Sequence, residues 1–492
     1  MWKNVIAEFA LSQPNKTALL DRISGIRFSY QSLHQEIERR AKQLHAAGVT
    51  AGERVVWIST SSLEHLTLFF ATIRLDALFV PLNPRLAPHE LQEICADVEP
   101  CLLLGKALPE LLLAHPAYRP LESLLPAPSL PAERDKPEQQ ILMILYTSGS
   151  SGQPKGVMMH AGMIRANMQA TVAADVLRPD DVTLINTPFF HTGGYHVFTL
   201  PLFSIGGTLI LHERFDPGLV LQEIREEGVT VFWAVPTMFQ AIHDHPDFAI
   251  TDFSAIRFFL SGGAPLPLAL IHSFHQRGVP FKQGFGLTEV GPNCFLLQTE
   301  EAFLRPDSIG KPLPHSEARV VDEQGNPVAA QQVGELWLRG PHRCAGYWRQ
   351  EALFAASLHE QFFATGDLLR IDEEGYFYVV GRKKEMYISG GENVYPGEVE
   401  KALNRHPQIV QAVVVGVPHA KWQEVGFAFY SGSAVLSLEE LRLFLEAHLA
   451  RYKHPYYVKH LLQLPLLANG KIDRTQLKKW ALDTVFSFGE KK

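Results

Sequence analysis

The chain is 492 residues long, 46% hydrophobic and 20% charged, with a formal net charge of −7. That length predicts roughly two to four structural units, and the composition supports large buried cores and excludes global disorder. The mild acidity offers no overall basic face for nucleic acid.

Helical and strand patterns alternate along the chain, which argues for α/β layers. Residues 1–20 carry Lys3, Glu8 and Lys16 and hold no unbroken apolar run, so they do not read as a signal peptide. Leu33, Ile37, Ala41 and Leu44 recur at helical spacing, and Gly48 follows as a stop. Residues 107–140, rich in proline, read as a connection lying on a domain surface. Short apolar runs at 141–146, 182–186, 208–211 and 229–235 predict buried strands.

Residues 182–212 contain no Asp, Glu, Lys or Arg. Pro188, Pro201 and the pairs Gly193-Gly194 and Gly206-Gly207 break this span repeatedly, so a buried α/β core with a ligand wall is the reading, not a membrane helix. Residues 310–348 alternate and turn like antiparallel β structure. Beyond Gly381 the charge density rises. Residues 410–417 read as a strand, Ser437 with Glu440 as a capping box, and Leu438, Leu441, Leu445 and Leu449 as one helical face. This tail has the size of a small α+β domain. The four cysteines (Cys95, Cys101, Cys294, Cys344) form no CxxC pair, which suits a reducing compartment and predicts a cytoplasmic protein. The ending Gly489-Glu490-Lys491-Lys492 is not a peroxisomal address.

The strongest chemical signal is Tyr146-Thr147-Ser148-Gly149-Ser150-Ser151-Gly152-Gln153-Pro154-Lys155-Gly156. A strand runs into glycines and hydroxyls and ends at a lysine, a composition suited to phosphate oxygens. Pro154 beside the lysine excludes a Walker A loop. The bland alternative is a Ser/Gly turn. Gly284-Phe285-Gly286-Leu287-Thr288-Glu289 delivers a hydroxyl and a carboxylate together: Thr288 for a phosphate oxygen, Glu289 for Mg²⁺. The same residues also fit a plain helix start. Thr365-Gly366-Asp367 suits a ribose diol, or a turn. In 381–393, glycines permit close backbone approach. Asn469-Gly470-Lys471 reads by itself as an exposed hairpin turn.

In order and spacing these segments resemble the acyl-adenylate-forming superfamily: acyl- and aryl-CoA synthetases, peptide-synthetase adenylation domains and luciferases. Phe189-Phe190-His191-Thr192-Gly193-Gly194 and Ser261-Gly262-Gly263-Ala264-Pro265-Leu266 fall where that family has motifs, and the likeness spans nearly the whole chain. The resemblance implies an α/β fold: a large N-terminal domain, 1–381, of two β/α layers plus a small β-barrel. A small mobile α+β domain, 382–492, follows a hinge near Lys384. It implies that a carboxylate attacks the α-phosphate of ATP, giving acyl-AMP and pyrophosphate, and that CoA then displaces AMP.

By the same resemblance, Thr147, Ser148, Gly149, Ser150, Ser151, Gly152 and Lys155 would hold the β/γ phosphates. Thr288 would hold the α-phosphate, Glu289 the Mg²⁺, and Gly263, Ala264 and Pro265 the adenine side beside Gly284, Phe285 and Gly286. Asp367 and Arg382 would take the ribose and Lys471 the charge at the α-phosphate. Gly390 and Gly391 would line the thiol path, and His191 would gate or stack on the acyl group. Ser151 and Phe285 stand where many members have Thr and Tyr. Asn469 replaces a serine common in CoA synthetases and resembles peptide-synthetase usage.

Residues 189–196 are expected to wall the acid pocket, with Phe232, Trp233, Met238, Phe258, Cys294 and Phe295 as neighbours or plain core. The absence of an acidic residue there disfavours amino acids, whose ammonium would lack a partner. An apolar acid, fatty or aromatic, is the expected substrate. The expected acceptor is CoA; the alternatives are a stand-alone adenylating enzyme that loads a separate carrier protein, or an o-succinylbenzoate-type CoA ligase. A homodimer is compatible with the family.

Overall fold

The computed structural model describes residues 4–148, 154–173, 177–264, 266–389, 392–467 and 470–489. Local rules and tertiary packing agree along most of it. The helix Tyr30–Ala46 starts at Ser29, whose hydroxyl caps Ser32 N–H while Ser32 caps back. It buries Leu33, Ile37, Ala41 and Leu44, and Gly48 turns the chain away at φ +91°.

The first layer is a six-stranded sheet in the order Gly346–Tyr347, Pro154–His160, Ile141–Ser148, Leu78–Leu82, Arg54–Ile58, Leu102–Gly105. Its central strands are parallel and buried throughout, which is why they are written as continuous apolar runs. The second layer joins Ile26–Ser29, Thr17–Asp21, Thr208–Leu211 and Val182–Ile185, with a parallel sheet of Val231–Ala234, Phe258–Ser261 and Phe281–Gln283 beside it. Thr230 N–H donates to Val182 O at 3.0 Å across that junction. The stretch 107–140 is a surface connection with a short helix at Glu110–Leu113, pinned to the main core by Leu121 and Leu124.

Residues 310–382 form antiparallel strands around the long Phe362–Ile371, which pairs with Val333–Arg339 on one side and Phe377–Arg382 on the other. The chain then passes through a 3₁₀ turn, Lys383–Glu385, with Lys384 exposed, into a different sheet beginning at Tyr387–Ser389. That sheet is built on the hairpin Ile409–His419 and Gln423–Gly432, has its own apolar core, and is covered by Pro396–Leu403, Leu438–Glu446 and Arg474–Gly489. The Ser437–Glu440 capping box forms as expected, but the helix ends at Glu446, so Leu449 falls outside it.

One clamp in this small unit positions the last motif. Arg474 opens the final helix three residues after Lys471. Its guanidinium donates to Glu400 Oε2 at 2.7 Å and to Val414 O at 3.2 Å, while Glu400 Oε1 accepts from Val414 N–H at 2.8 Å. Glu400 is buried, so deleting its carboxylate leaves the Val414 amide without its partner and removes the guanidinium's shortest contact, with Val414 O and Glu385 remaining to it. Glu400→Ala is expected to cost about 2–3 kcal/mol, read as faster amide hydrogen exchange in the strands 409–432.

Candidate functional site

The phosphate-loop motif is a hairpin. Thr147 pairs with Lys155 and Ser148 with Pro154, the last pair among the described residues. Gly149, Ser150, Ser151 and Gly152 lie outside the described residues. Lys155 places its ammonium over the Tyr347 ring, 5.0 Å from the centroid. Tyr347 O–H donates to Glu289 Oε1 at 2.9 Å. Tyr347 was not among the residues singled out from the sequence. It joins the hairpin's lysine to the carboxylate expected to hold Mg²⁺, and its Gly-Tyr-Trp context was the signal available.

Thr288 and Glu289 do not begin a helix. They sit on a turn closed by Leu287 N–H to Gly291 O at 3.0 Å. Gly286 has a steric reason: a Cβ there would lie 2.3 Å from Gly291 O and Pro292 O. Gly284 N–H donates to Ser261 O at 2.7 Å, which brings the second glycine turn against the Gly262–Ala264 loop. Pro265 lies outside the described residues. Gly263, at φ +82°, and Ala264 are exposed there.

The charged centre follows from strand register. Asp367 and Arg382 are directly paired positions on Phe362–Ile371 and Phe377–Arg382, and Arg382 Nε lies 2.5 Å from Asp367 Oδ1. Asp367 is 3% exposed, and its other oxygen, Oδ2, is buried with no hydrogen-bond partner. Burial pushes its carboxyl up to about 6, against the pull of Arg382. A buried acceptor aimed at nothing in the protein fits a ligand diol.

Lys471 reaches this centre from the other unit. Gly470 takes φ +80°, Leu467 N–H donates to Lys471 O at 2.7 Å, and Thr237 Oγ1–H donates to Gly470 O at 2.9 Å. The turn read from sequence is therefore real, but it is docked, not free. Lys471 lies over Gly263: a Cβ on that glycine would meet Lys471 Cε at 3.1 Å and Nζ at 3.4 Å. Burial lowers the Lys471 pKa, Arg382 lowers it further, and Asp367 opposes. His191 is held down to about 4 by burial and then by Lys471, so it is neutral at neutral pH, with a buried Nε2 lacking a partner. Asp367, Arg382 and Lys471 thus feel one another's charge, and His191 feels that of Lys471. Gly390, Gly391 and Asn469 lie outside the described residues.

Two cavities lie near the expected acid pocket, one against the 281–297 strands and one lined by Thr187, Gly193, Gly194, Phe198 and Trp233, in and around the expected wall. Phe189 is fully buried and stacks on His65 and Tyr195, so it is core. His65, held by Trp57 Nε1–H at 3.0 Å, anchors the loop that presents His191. Phe232 is core in the second cluster, and Trp233 packs on Gly193, donating to its carbonyl at 3.2 Å. Phe258 and Phe295 do line a cavity, together with Phe198, Leu260, Leu297 and Gly284. It opens on the strand edge where the Gly284 turn begins. Lys282 also lines it and was missed.

No helix among the described residues is long and apolar enough to cross a membrane. Residues 6–348 match the AMP-binding enzyme family and 398–471 the AMP-binding enzyme C-terminal domain. The chain is 36% identical to a feruloyl-CoA synthase of an Amycolatopsis species over 96% of its own length and 97% of the relative's. It is 34% identical to an indoleacetate–CoA ligase of Aromatoleum aromaticum, covering 95% of each. The o-succinylbenzoate CoA synthetase of Bacillus subtilis, solved with its acyl-adenylate intermediate, superposes with a TM-score of 0.87 at 29% identity, over 96% of this chain and 98% of that one. With its glycine turns, buried Asp367 and docked Lys471 arranged on that shared fold, the chain belongs to the AMP-binding enzyme family, the adenylate-forming acid–thiol ligases.

Proposed function

We propose that this protein activates an aryl carboxylic acid with ATP and passes the acyl group to CoA. The observation that carries the reading is the docking of Lys471 over Gly263, beside Asp367, Arg382 and His191. The named acids of the relatives, ferulate, indoleacetate and o-succinylbenzoate, support an aryl substrate over a fatty one. So does a cavity walled by Phe198, Phe258 and Phe295.

In this reading the adenine lies against Gly263 and Ala264, and the ribose hydroxyls donate to Asp367. The substrate carboxylate attacks the α-phosphorus, the bond to the β-phosphate oxygen breaks, and pyrophosphate leaves. Charge concentrates on the α-phosphate, and Lys471 offsets it from a site too dry for water to screen. Glu289, steadied by Tyr347, is the residue fitted to hold Mg²⁺, which would neutralise phosphate charge. Lys155 and the hydroxyls of Thr147 and Thr288 bind the phosphates. The acyl carbon of acyl-AMP then takes the CoA sulfur, and AMP departs with the bonding electrons.

Lys471 fills the place over Gly263 that belongs to the first half-reaction. The boundary at 381/382, with its exposed Lys383–Glu385 turn, is where the small unit would rotate to exchange Lys471 for a thiol path at Gly390 and Gly391. Lys471→Ala is expected to cut acid-dependent pyrophosphate release about 100- to 1,000-fold while leaving thioester formation from supplied acyl-AMP largely intact. Lys384→Pro is expected to do the reverse by stiffening the turn. Equal loss of both half-reactions in each variant contradicts the reading.

Asp367 gives a pH dependence. Its carboxyl is raised to about 6, so the charged acceptor is present above that pH and is lost as pH falls through it. The KM for ATP is expected to rise on the acid side of pH 6 in the wild type. Asp367→Asn is expected to show a raised KM on both sides with no such step, measured by pyrophosphate release.

A further inference from the structure

The cavity beside Gly284 is apolar on most sides and yet holds a buried lysine. Lys282 is 3% exposed. It stands on the strand Phe281–Gln283 in register with Leu260, so both side chains share the face that walls the cavity. Its ammonium lies 3.7 Å from the centroid of the Phe258 ring. Its hydrogen bond is a long one, 3.4 Å to Thr299 Oγ1. An ammonium carries three donors, and burying it without a carboxylate is costly.

The other polar groups lining the cavity are spoken for. Asn293 Nδ2 donates to Thr171 Oγ1 at 2.8 Å and to Val197 O at 3.1 Å. Thr171 Oγ1–H donates to Asn167 O at 2.8 Å. The Gln283 amide donates to Pro306 O at 3.0 Å and accepts from Leu266 N–H at 3.3 Å. Lys282 is the charged group among the lining residues, and a single long hydrogen bond leaves most of its donor capacity unused. Its place along the strand is also telling. Gly284, where the nucleotide turn begins, is two residues on, about 7 Å away. Lys282 thus stands behind that turn along the strand, on the far side of it from the Thr288-Glu289 pair.

We propose that Lys282 is a specificity-determining residue that binds an oxygen substituent on the end of the acid remote from the carboxylate being activated. The inference rests on the adenylation reading above and narrows it to aryl acids carrying a phenolic hydroxyl or a second carboxylate. The aromatic walls hold the ring, and Lys282 reads its far edge. Burial, followed by Arg257, holds the lysine's pKa down to about 7, with Glu300 opposing. Near that value the group serves either oxygen: as ammonium it donates to a carboxylate or phenolate, and as amine it accepts from a phenol.

The test uses the full-length enzyme and triplets of aryl acids: benzoic, phenylacetic and cinnamic acid, each unsubstituted, para-hydroxy and para-carboxy. Acid-dependent pyrophosphate release gives kcat/KM for wild type, Lys282→Met and Lys282→Gln. Wild type is expected to favour one oxygen-bearing member of its best triplet over the unsubstituted acid, and the member favoured distinguishes phenol from carboxylate. Lys282→Met is expected to shrink that ratio by about 10- to 100-fold with little change for the unsubstituted acid. Because the ratio is taken within one preparation, it does not depend on the fraction folded, and Lys282→Gln serves if the Met variant is insoluble. A wild-type preference for the unsubstituted acid, or an equal effect of the substitution on all members, overturns the assignment while leaving adenylation standing. No pyrophosphate release with any acid overturns both.

Discussion

The structure turns on charge held out of water. Asp367 and Arg382 face each other across paired strands, and Lys471 is brought over them by a turn from the small C-terminal unit. Burial acts on the two ends of this group in opposite chemical senses: it raises the Asp367 carboxyl and lowers the Lys471 ammonium. Both shifts mark groups whose charged forms are under-solvated in the protein alone. On the proposed function, a nucleotide would relieve both, its diol donating to Asp367 and its α-phosphate lying against Lys471. The Glu400–Arg474 clamp, the positive φ of Gly470 and the absence of a side chain at Gly263 are the means by which that lysine is delivered.

This also explains how a mildly acidic protein handles ATP and CoA. A formal charge of −7 gives no long-range attraction for polyanions. The cations gathered at the candidate site are local: Lys155 over Tyr347, the partly exposed Arg382 on Asp367, and Lys471 over Gly263. In a dry site a single well-placed charge acts far more strongly than at the surface. The role proposed for Lys282 would apply the same economy to the acid, with one cation in a cavity lined mostly by Phe and Leu.

Much of this was legible in the sequence, for physical reasons. The helix Tyr30–Ala46 and the capping box at Ser437 follow from local spacing and local hydrogen bonds. The glycine and hydroxyl motifs were visible because close backbone approach restricts residue choice severely. What stayed hidden depended on which face a side chain takes. Phe189 is core and Phe258 is cavity wall, and an apolar run does not say which. Tyr347 and His65 act through partners distant in sequence, Glu289 and Phe189 respectively, with Trp57 as a nearby second partner of His65. Lys282 sits between an apolar strand and a glycine motif, where a lysine ordinarily reads as a solvated surface residue. Lys471 was the reverse case: locally it looks like decoration on an exposed turn, and only the order of motifs along the chain, then its place over Gly263, gives it a role.

The most direct test of the account is ATP–pyrophosphate exchange with labelled pyrophosphate, run without CoA. If the buried charge cluster serves to form an acyl-adenylate reversibly, label enters ATP only when a suitable aryl acid is present, and adding CoA drains the exchange into thioester. Exchange that is independent of acid, or thioester formation with no exchange under any acid, would contradict the account.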